Sequence, residues 1–279
     1  MKARKTIAGI GKWMFLLVVV AFTLYPVIYA LLGSFKTNQE LNQGIIFFPD
    51  VWHIENYVNA FTKGNFGSYT VNSIILAVTV TLLALITTSL AGYLFARHEF
   101  PGKKFVMSMY MAFMFISLGS VTLYPLYVLL RAIGLTNNLL GMALAITGGQ
   151  TANVLLVMSF TKSIPRELDE AAYIDGCSYF QVFYRIIIHL IKPILGVVAL
   201  FSFRSAWNNY LIPLIMSIGK PNLRTLTVGV VQLKYSSNAA AESHIMLAGA
   251  SIALIPVLLV YLVANKQFIA GLTSGGVKG

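Results

Sequence analysis

Residues 71–96 read VNSIILAVTVTLLALITTSLAGYLFA, a run without one Asp, Glu, Lys or Arg. A helix rises about 1.5 Å per residue, so ~20 apolar residues cross a hydrocarbon layer of ~30 Å. Lipid offers no partner to free backbone N–H and C=O groups, so an isolated run of this kind must be helical. Five more stretches have the same character: 13–32, 105–130, 139–160, 194–215 and 245–264. The expected fold is all-α, one polytopic membrane domain over 1–279 with six transmembrane helices.

Composition agrees. Of 279 residues, 57% are hydrophobic and only 10% charged, and the mean hydropathy is +0.77. Ordinary soluble domains carry roughly 25% charged residues. A disordered chain, a collagen and a disulfide scaffold are all excluded, and the single Cys177 cannot form an internal bridge. The net charge of +11 would suggest nucleic acid in a soluble protein. Here there is no RNA or DNA motif and no basic-aromatic stripe, and the basic residues flank apolar runs. No nucleic-acid partner is expected; the bilayer is.

Six spans put both termini on one side. Lys2, Arg4, Lys5 and Lys12 precede the first span, which is too long for a cleaved signal and reads as an uncleaved anchor. The turn 97–104, the loop 161–193 and the tail 265–279 bring the Lys+Arg count on that side to 13, against six on the other. Arg204, inside a span, completes the 20. The excess places both termini in the cytoplasm of a cell membrane. The stretch 139–160 holds Gly141, Gly148, Gly149, Gln150 and Asn153, and is expected to face protein or a cavity rather than lipid.

The loop 161–193 is long for a connection between spans and holds four of the nine acids. It reads as two short helices with a sharp break. Ser163 is expected to cap the first, with Pro165 at an early position. Glu167, Asp169 and Glu170 sit at the positive end of its dipole. Gly176 suits the left-handed residue that ends it. Ser178 and Gln181 have capping-box spacing for the second. Leu168, Ala171 and Ala172 lie at i, i+3 and i+4 and are expected to share a small, mildly apolar face fit for close docking. An amphipathic linker lying on the bilayer is the competing reading; it would call for more basic and larger apolar side chains.

Glu170-Ala171-Ala172, three residues and then Gly176, with Ile186 following, resembles the EAA motif of permease subunits of bacterial binding-protein-dependent ABC importers. Asp175 before the Gly, the tail Gly271 to Gly279, Ser34-Phe35-Lys36-Thr37, Asn56-Tyr57, Gly134-Leu135-Thr136-Asn137 and Trp207-Asn208 resemble maltose-type members, specifically their second permease. One departure is His189, where the family has a Pro; Pro193 is kept. The missing Pro leaves the angle into the fifth span open, and His189 is either a pH-sensitive contact or simply tolerated.

The resemblance implies a type I importer permease, transporting a sugar. Its partners would be a second permease (usually a heterodimer), two cytoplasmic ATPase subunits and an extracytoplasmic solute-binding protein. Glu170, Ala171, Ala172, Asp175, Gly176 and Ile186 would form the coupling helix that docks into the ATPase. Gly275, Gly276 and Lys278 of the tail would touch it too. ATP and its magnesium would be held by the ATPase, with no cofactor in this chain. In line with this, the sequence has no G-x-x-x-x-G-K-[ST] loop, and His53, His98, His189 and His244 form no metal-ligand cluster. No catalytic residue is expected.

Arg204 near the middle of the fifth span would cost ~2.5–3.5 kcal/mol if it faced lipid. Arg204, Trp207, Asn208 and Leu211 have the i, i+3, i+4, i+7 spacing of one helical face. That face either lines the solute pathway, or Arg204 pairs with the second permease and Trp207 packs. Gln150 and Asn153 are weaker pathway candidates beside a packing role. Phe47, Phe48, Trp52 and Tyr57 fit an interfacial belt, and Tyr235-Ser236-Ser237-Asn238 lie in a loop open to contact with the binding protein. Three rival readings are a permease for a non-sugar solute, a self-sufficient carrier or channel, and a membrane-embedded enzyme. The carrier needs acids within the spans and the enzyme a clustered catalytic set; the sequence has neither.

Overall fold

A computed structural model describes residues 2–44, 46–116, 119–233 and 242–276, and the side chains of these except 2–10, 63 and 263–276. Every regular element among them is helical. The chain divides into two compact units, residues 1–67 with 228–255 and residues 68–227 with 256–279.

The first unit contains α1 (Lys2–Gly33), α2 (Asn38–Asn42) and α3 (Glu55–Lys63). α1 is exposed all round from residue 11 to 28 and carries no charge beyond Lys12, as suits a helix solvated by lipid. Past its end the chain ties itself into a knot. Ser34 Oγ and Tyr57 Oη lie 2.7 Å apart. Asn56 Nδ2 donates to the carbonyls of Ser34 and Lys36, both at 2.9 Å. Lys36, buried, donates through Nζ to the Ile46 carbonyl. Thr37 and Glu40 form a capping box at α2, and Glu40 Oε1 also accepts the Asp50 N–H at 3.0 Å. The Phe35 ring sits between Trp52 and Tyr57, with centroids at 4.9 and 5.2 Å. Two separated sequence fragments, Ser34–Thr37 and Asn56-Tyr57, thus satisfy one another.

The second unit holds nearly all of α4 (Phe66–Arg97), then α5 (Lys103–Phe115), α6 (Leu123–Ala132), α7 (Leu139–Thr147) and α8 (Thr151–Lys162). After these come α9 (Glu167–Ile174), α10 (Tyr179–Val182), α11 (Ile188–Leu190), α12 (Lys192–Trp207) and α13 (Leu211–Met216). α14 (Leu226–Gln232) and α15 (Ser243–Gly276) complete the chain. α4 approaches α8 closely because Gly92 has no side chain; a Cβ there would fall 2.6 Å from Val157 Cγ1.

Three helices, Gly11–Gly33, Phe66–Arg97 and Ser243–Leu262, are long and apolar enough to cross a membrane. Two more stretches qualify as bent pairs. Leu139–Thr147 and Thr151–Lys162 meet at 56°, and Tyr179–Leu190 and Lys192–Trp207 at 79°. The stretch 105–130 is not one continuous helix. α5 stops at Phe115, Ile116 is extended, and a 3-10 turn over Gly119–Thr122 precedes α6. The sequence signal for that interruption is Gly119, which takes φ +55.

Candidate functional site

The elbow formed by α9, α10 and α11 is rooted in the unit's own core. Ala172, Val182, Phe183 and Ile187 pack with Tyr93 of α4, Val157 of α8 and Ile194, Val197 and Val198 of α12. Its helix is stopped by local chemistry. Gly176 has φ +81, Cys177 N–H donates to the Ala172 carbonyl at 2.9 Å, and Gly176 N–H to that of Tyr173 at 3.0 Å. This crossed pair of bonds is a Schellman motif, and it needs a residue free to be left-handed. Ser178 then starts α10 with the expected capping box: its N–H donates to Gln181 Oε1 at 2.7 Å, and its Oγ accepts from Gln181 N–H at 3.4 Å.

Ser163 does not cap α9. It closes α8, donating from Oγ to the Phe160 carbonyl at 2.7 Å, and the residue before α9 is Arg166. Pro165 correspondingly lies ahead of the helix rather than in its first turn. The exit from the elbow is sharp without a Pro at 189. A π-turn spans Phe183–Ile187, and the chain breaks at Ile191 with Pro193 in the first turn of α12. Pro193 fits there because a first-turn N–H has no intrahelical acceptor.

No local sequence pattern marks the tie that fixes the elbow's root. Arg97, last residue of α4, places Nε 2.7 Å from Asp169 Oδ2, with both side chains over nine-tenths buried. Its Nη2 donates to the carbonyls of Ile164 at 2.9 Å and Pro165 at 3.4 Å. Burial pushes the Asp169 carboxyl up from its ordinary pKa, and the Arg97 guanidinium pulls against that shift. The pair's value is in placement, since buried ion pairs recover little more than their desolvation.

The face expected for docking is split. Ala172 is buried and anchors the helix inward. Glu167, Leu168, Glu170, Ala171, Ile174, Asp175 and Gly176 are exposed, with Ile174 at 87%. Ile186 is half-buried against the core. The outer surface therefore joins acids to bare apolar groups, with Tyr179 and Phe180 exposed beside them. Lys278 lies outside the described residues, as do Tyr235–Asn238, and no side-chain contact is described at Gly275 or Gly276.

The expected face Arg204, Trp207, Asn208, Leu211 is not formed. α12 ends at Trp207 and Leu211 opens α13, so the helical spacing does not run through. Asn209 Oδ1 accepts the Ile212 N–H at 3.2 Å, stabilising the new helix start. Trp207 is buried and stacks on Phe203 at 5.7 Å, while its carbonyl accepts from Thr227 Oγ1 at 2.7 Å. The exposed face of α12 is Phe201, Arg204 and Ser205, continued by Asn208 just past its end. Gln150, at the α7–α8 break, joins buried Asn153 and Ser202 in a triangle. Ser202 Oγ donates to Gln150 Oε1 at 3.2 Å and accepts from Asn153 Nδ2 at 3.3 Å, and Asn153 also donates to Gln150. This ties α8 to α12. Two hollows, of about 400 and 660 Å³, meet at the same break and share Phe113, Gly148 and Thr151.

Residues 88–272 match the family described as binding-protein-dependent transport system inner membrane component. The arabinooligosaccharides transport system permease protein AraQ of Bacillus subtilis is 31% identical over 276 residues, covering 97% of this chain and 96% of its own. The diacetylchitobiose uptake system permease protein NgcG of Streptomyces coelicolor is 30% identical over 254 residues, 91% of this chain and 83% of its own. Among solved structures, a bacterial ABC transporter involved in the import of the acidic polysaccharide alginate has a chain with the same fold. The TM-score is 0.78 at 23% identity, over 94% of this chain and 97% of that one.

Proposed function

The chain belongs to the binding-protein-dependent transport system inner membrane components, and on that premise we propose that it is a permease subunit of an ATP-driven saccharide importer, forming half of the solute pathway. Its relatives are membrane permeases rather than ATP-hydrolysing subunits. Two of them are named for oligosaccharides, which supports a sugar rather than another solute. Permeases of this family work with a partner permease, an ATPase and a solute-binding protein. In the arrangement we favour, the second permease is a different chain and two ATPase subunits hold ATP and magnesium. Six crossings near the apolar runs given above leave both termini in the cytoplasm, in keeping with 13 basic residues on that side against six.

The observation that carries the mechanism is the elbow. Its root is fixed by Arg97–Asp169 and an apolar core, and its outer face holds acids and small or apolar groups that are exposed among the described residues. ATP binding moves the ATPase, the ATPase moves the elbow, and a rigid root passes that movement to α4, α8 and α12. The drive is the difference in docking free energy between the inward- and outward-facing states. Glu170 and Asp175 orient the contact, Ala171 permits close approach, and Gly176 keeps the tip narrow. Gly275, Gly276 and Lys278 belong to a tail assigned to the same interface.

The test is purification of the tagged chain in mild detergent. An ATPase and a second permease should co-purify, and the assembly in liposomes should take up an oligosaccharide only with ATP and the binding protein. Solute flux from the isolated chain would reject the reading in favour of a self-sufficient carrier.

A further inference from the structure

The elbow packs on three helices, α4, α8 and α12, and they differ in continuity. α8 meets α7 at 56°, while α12 meets the helix before it at 79° and ends at Trp207. α4 is one unbroken helix of 32 residues, long and apolar enough to cross a membrane, with no Pro in its sequence. Ser73, Ala77, Val80, Ala84 and Thr88 are all buried. A stripe packed along so much of the helix leaves it little freedom to bend. One end of α4 is fixed to the elbow twice. Tyr93 shares an apolar core with Ala172, and Arg97 holds Asp169. On each helix the two positions are one turn apart, so α4 and α9 meet along matched faces.

The other end of α4 is tied to a different loop. Asn72 Nδ2 donates to the carbonyls of Asn222 at 2.7 Å and Arg224 at 3.0 Å. Ser73 Oγ accepts the Leu226 N–H at 2.7 Å. Asn72 and Ser73 are buried, as are Thr225 and Leu226. These bonds fasten the connection between α13 and α14 to α4, while its tip, residues 218–222, stays exposed. Asn72 and Arg97 lie about 38 Å apart along α4 at ~1.5 Å per residue, farther than the ~30 Å of a hydrocarbon layer. The two sets of ties therefore belong to opposite sides of the bilayer. We infer that α4 is a strut, and that Asn72 and Ser73 are positioning residues that make the loop 217–226 travel with the elbow. The strut rests on the proposed function and adds to it the place where the stroke arrives: entering at Asp169, it emerges at residues 218–222 on the far surface. Coupling is reciprocal, so a partner holding that tip biases the elbow by the same free energy.

The experiment uses the assembled importer in liposomes with its binding protein. Nitroxides are attached at Glu99→Cys and Lys220→Cys in a Cys177→Ser background, and their separation is measured without nucleotide and with ATP and vanadate. Uptake per ATP hydrolysed is followed with a panel of arabino- and chito-oligosaccharides. With Asn72 in place the separation should be the same in both states. Asn72→Ala should keep its ATPase, broaden the separation in the ATP state and lower uptake per ATP about fivefold, the factor set by one lost hydrogen bond. Asn72→Asp, which has the same shape but no N–H donor, should behave as Asn72→Ala does. A separation that shifts with nucleotide while uptake proceeds overturns the strut and leaves saccharide import standing. Wild-type coupling in Asn72→Ala and Asn72→Asp overturns it too, as does loss of the ATPase from both, which would make Asn72 a residue of assembly. Uptake of no saccharide at all by the unsubstituted importer overturns the proposed function as well.

Discussion

The knot over residues 34–57 and the elbow over residues 161–191 are both short helical connections between long apolar helices, yet they spend their polar groups in opposite ways. In the knot, Ser34, Lys36, Glu40, Asn56 and Tyr57 each meet another group of the same segment. In the elbow the Arg97–Asp169 pair, the Ser178–Gln181 box and a few apolar side chains hold the root and the turn, and Glu167, Glu170, Asp175 and Ile174 are left exposed. A segment that satisfies itself holds shape. A segment that is anchored on one face and unspent on the other is built to be held by something else.

The hardest blow to this contrast falls on the elbow's root. Arg97→Ala leaves the Asp169 carboxylate buried and unpaired, which costs ~3–5 kcal/mol. Chemical denaturation of the purified chain should show the loss. Asp169→Ala should cost a similar amount, and the double variant less than the sum of the two; simple additivity would mean that the pair is not coupled.

Asn56→Ala in the knot comes next, stranding two carbonyls at ~1–3 kcal/mol. It should loosen the segment without changing ATPase co-purification. If that variant lost the ATPase as completely as an elbow variant, the division of labour would be mistaken.

Glu170→Lys sharpens the comparison from the other side. The position is exposed, so stability should move by no more than about 0.5 kcal/mol, while ATP-driven uptake falls about tenfold through the reversed charge at the docking face. Circular dichroism melting and transport assays on the same preparation separate the two effects.

Acid gives the smallest and most discriminating response. Backbone N–H groups of Thr37 and Asp50 hold the Glu40 carboxyl below its usual range, so its contribution to the knot is present above the unfolded pKa and lost as pH falls through the folded one. Asp169 is shifted the other way by burial. The folded chain takes up that proton more readily than the unfolded chain, so stability gains slightly while the ion pair opens. On acidification, hydrogen exchange should rise at Ile164–Asp169 before it rises at Thr37–Asp50; the reverse order would contradict the assigned environments.

What the sequence disclosed followed the range of the interaction. Apolar runs, the left-handed Gly176 and the Ser178–Gln181 box are set by neighbours a few positions apart, and each can be read from spacing. The Arg97–Asp169 tie joins distant parts of the chain, and neither residue carries a local signal of it. Ala172 pointed inward rather than outward because α9 packs on α4 and α8, a choice that helical periodicity leaves open. Trp207 and Leu211 fell off the expected face because α12 ends between them at Asn208-Asn209. Ser163 closes α8 rather than opening α9, since a hydroxyl between two helices can bond backward as well as forward.

The cysteine whose backbone closes the α9 turn has a practical consequence. Cys177 is the chain's one cysteine and half-exposed, and its backbone rather than its sulfur completes the turn. A maleimide fluorophore attached there would sit beside the tip proposed to meet the ATPase, on an otherwise unaltered sequence, and a change of its emission on ATP addition would report that contact.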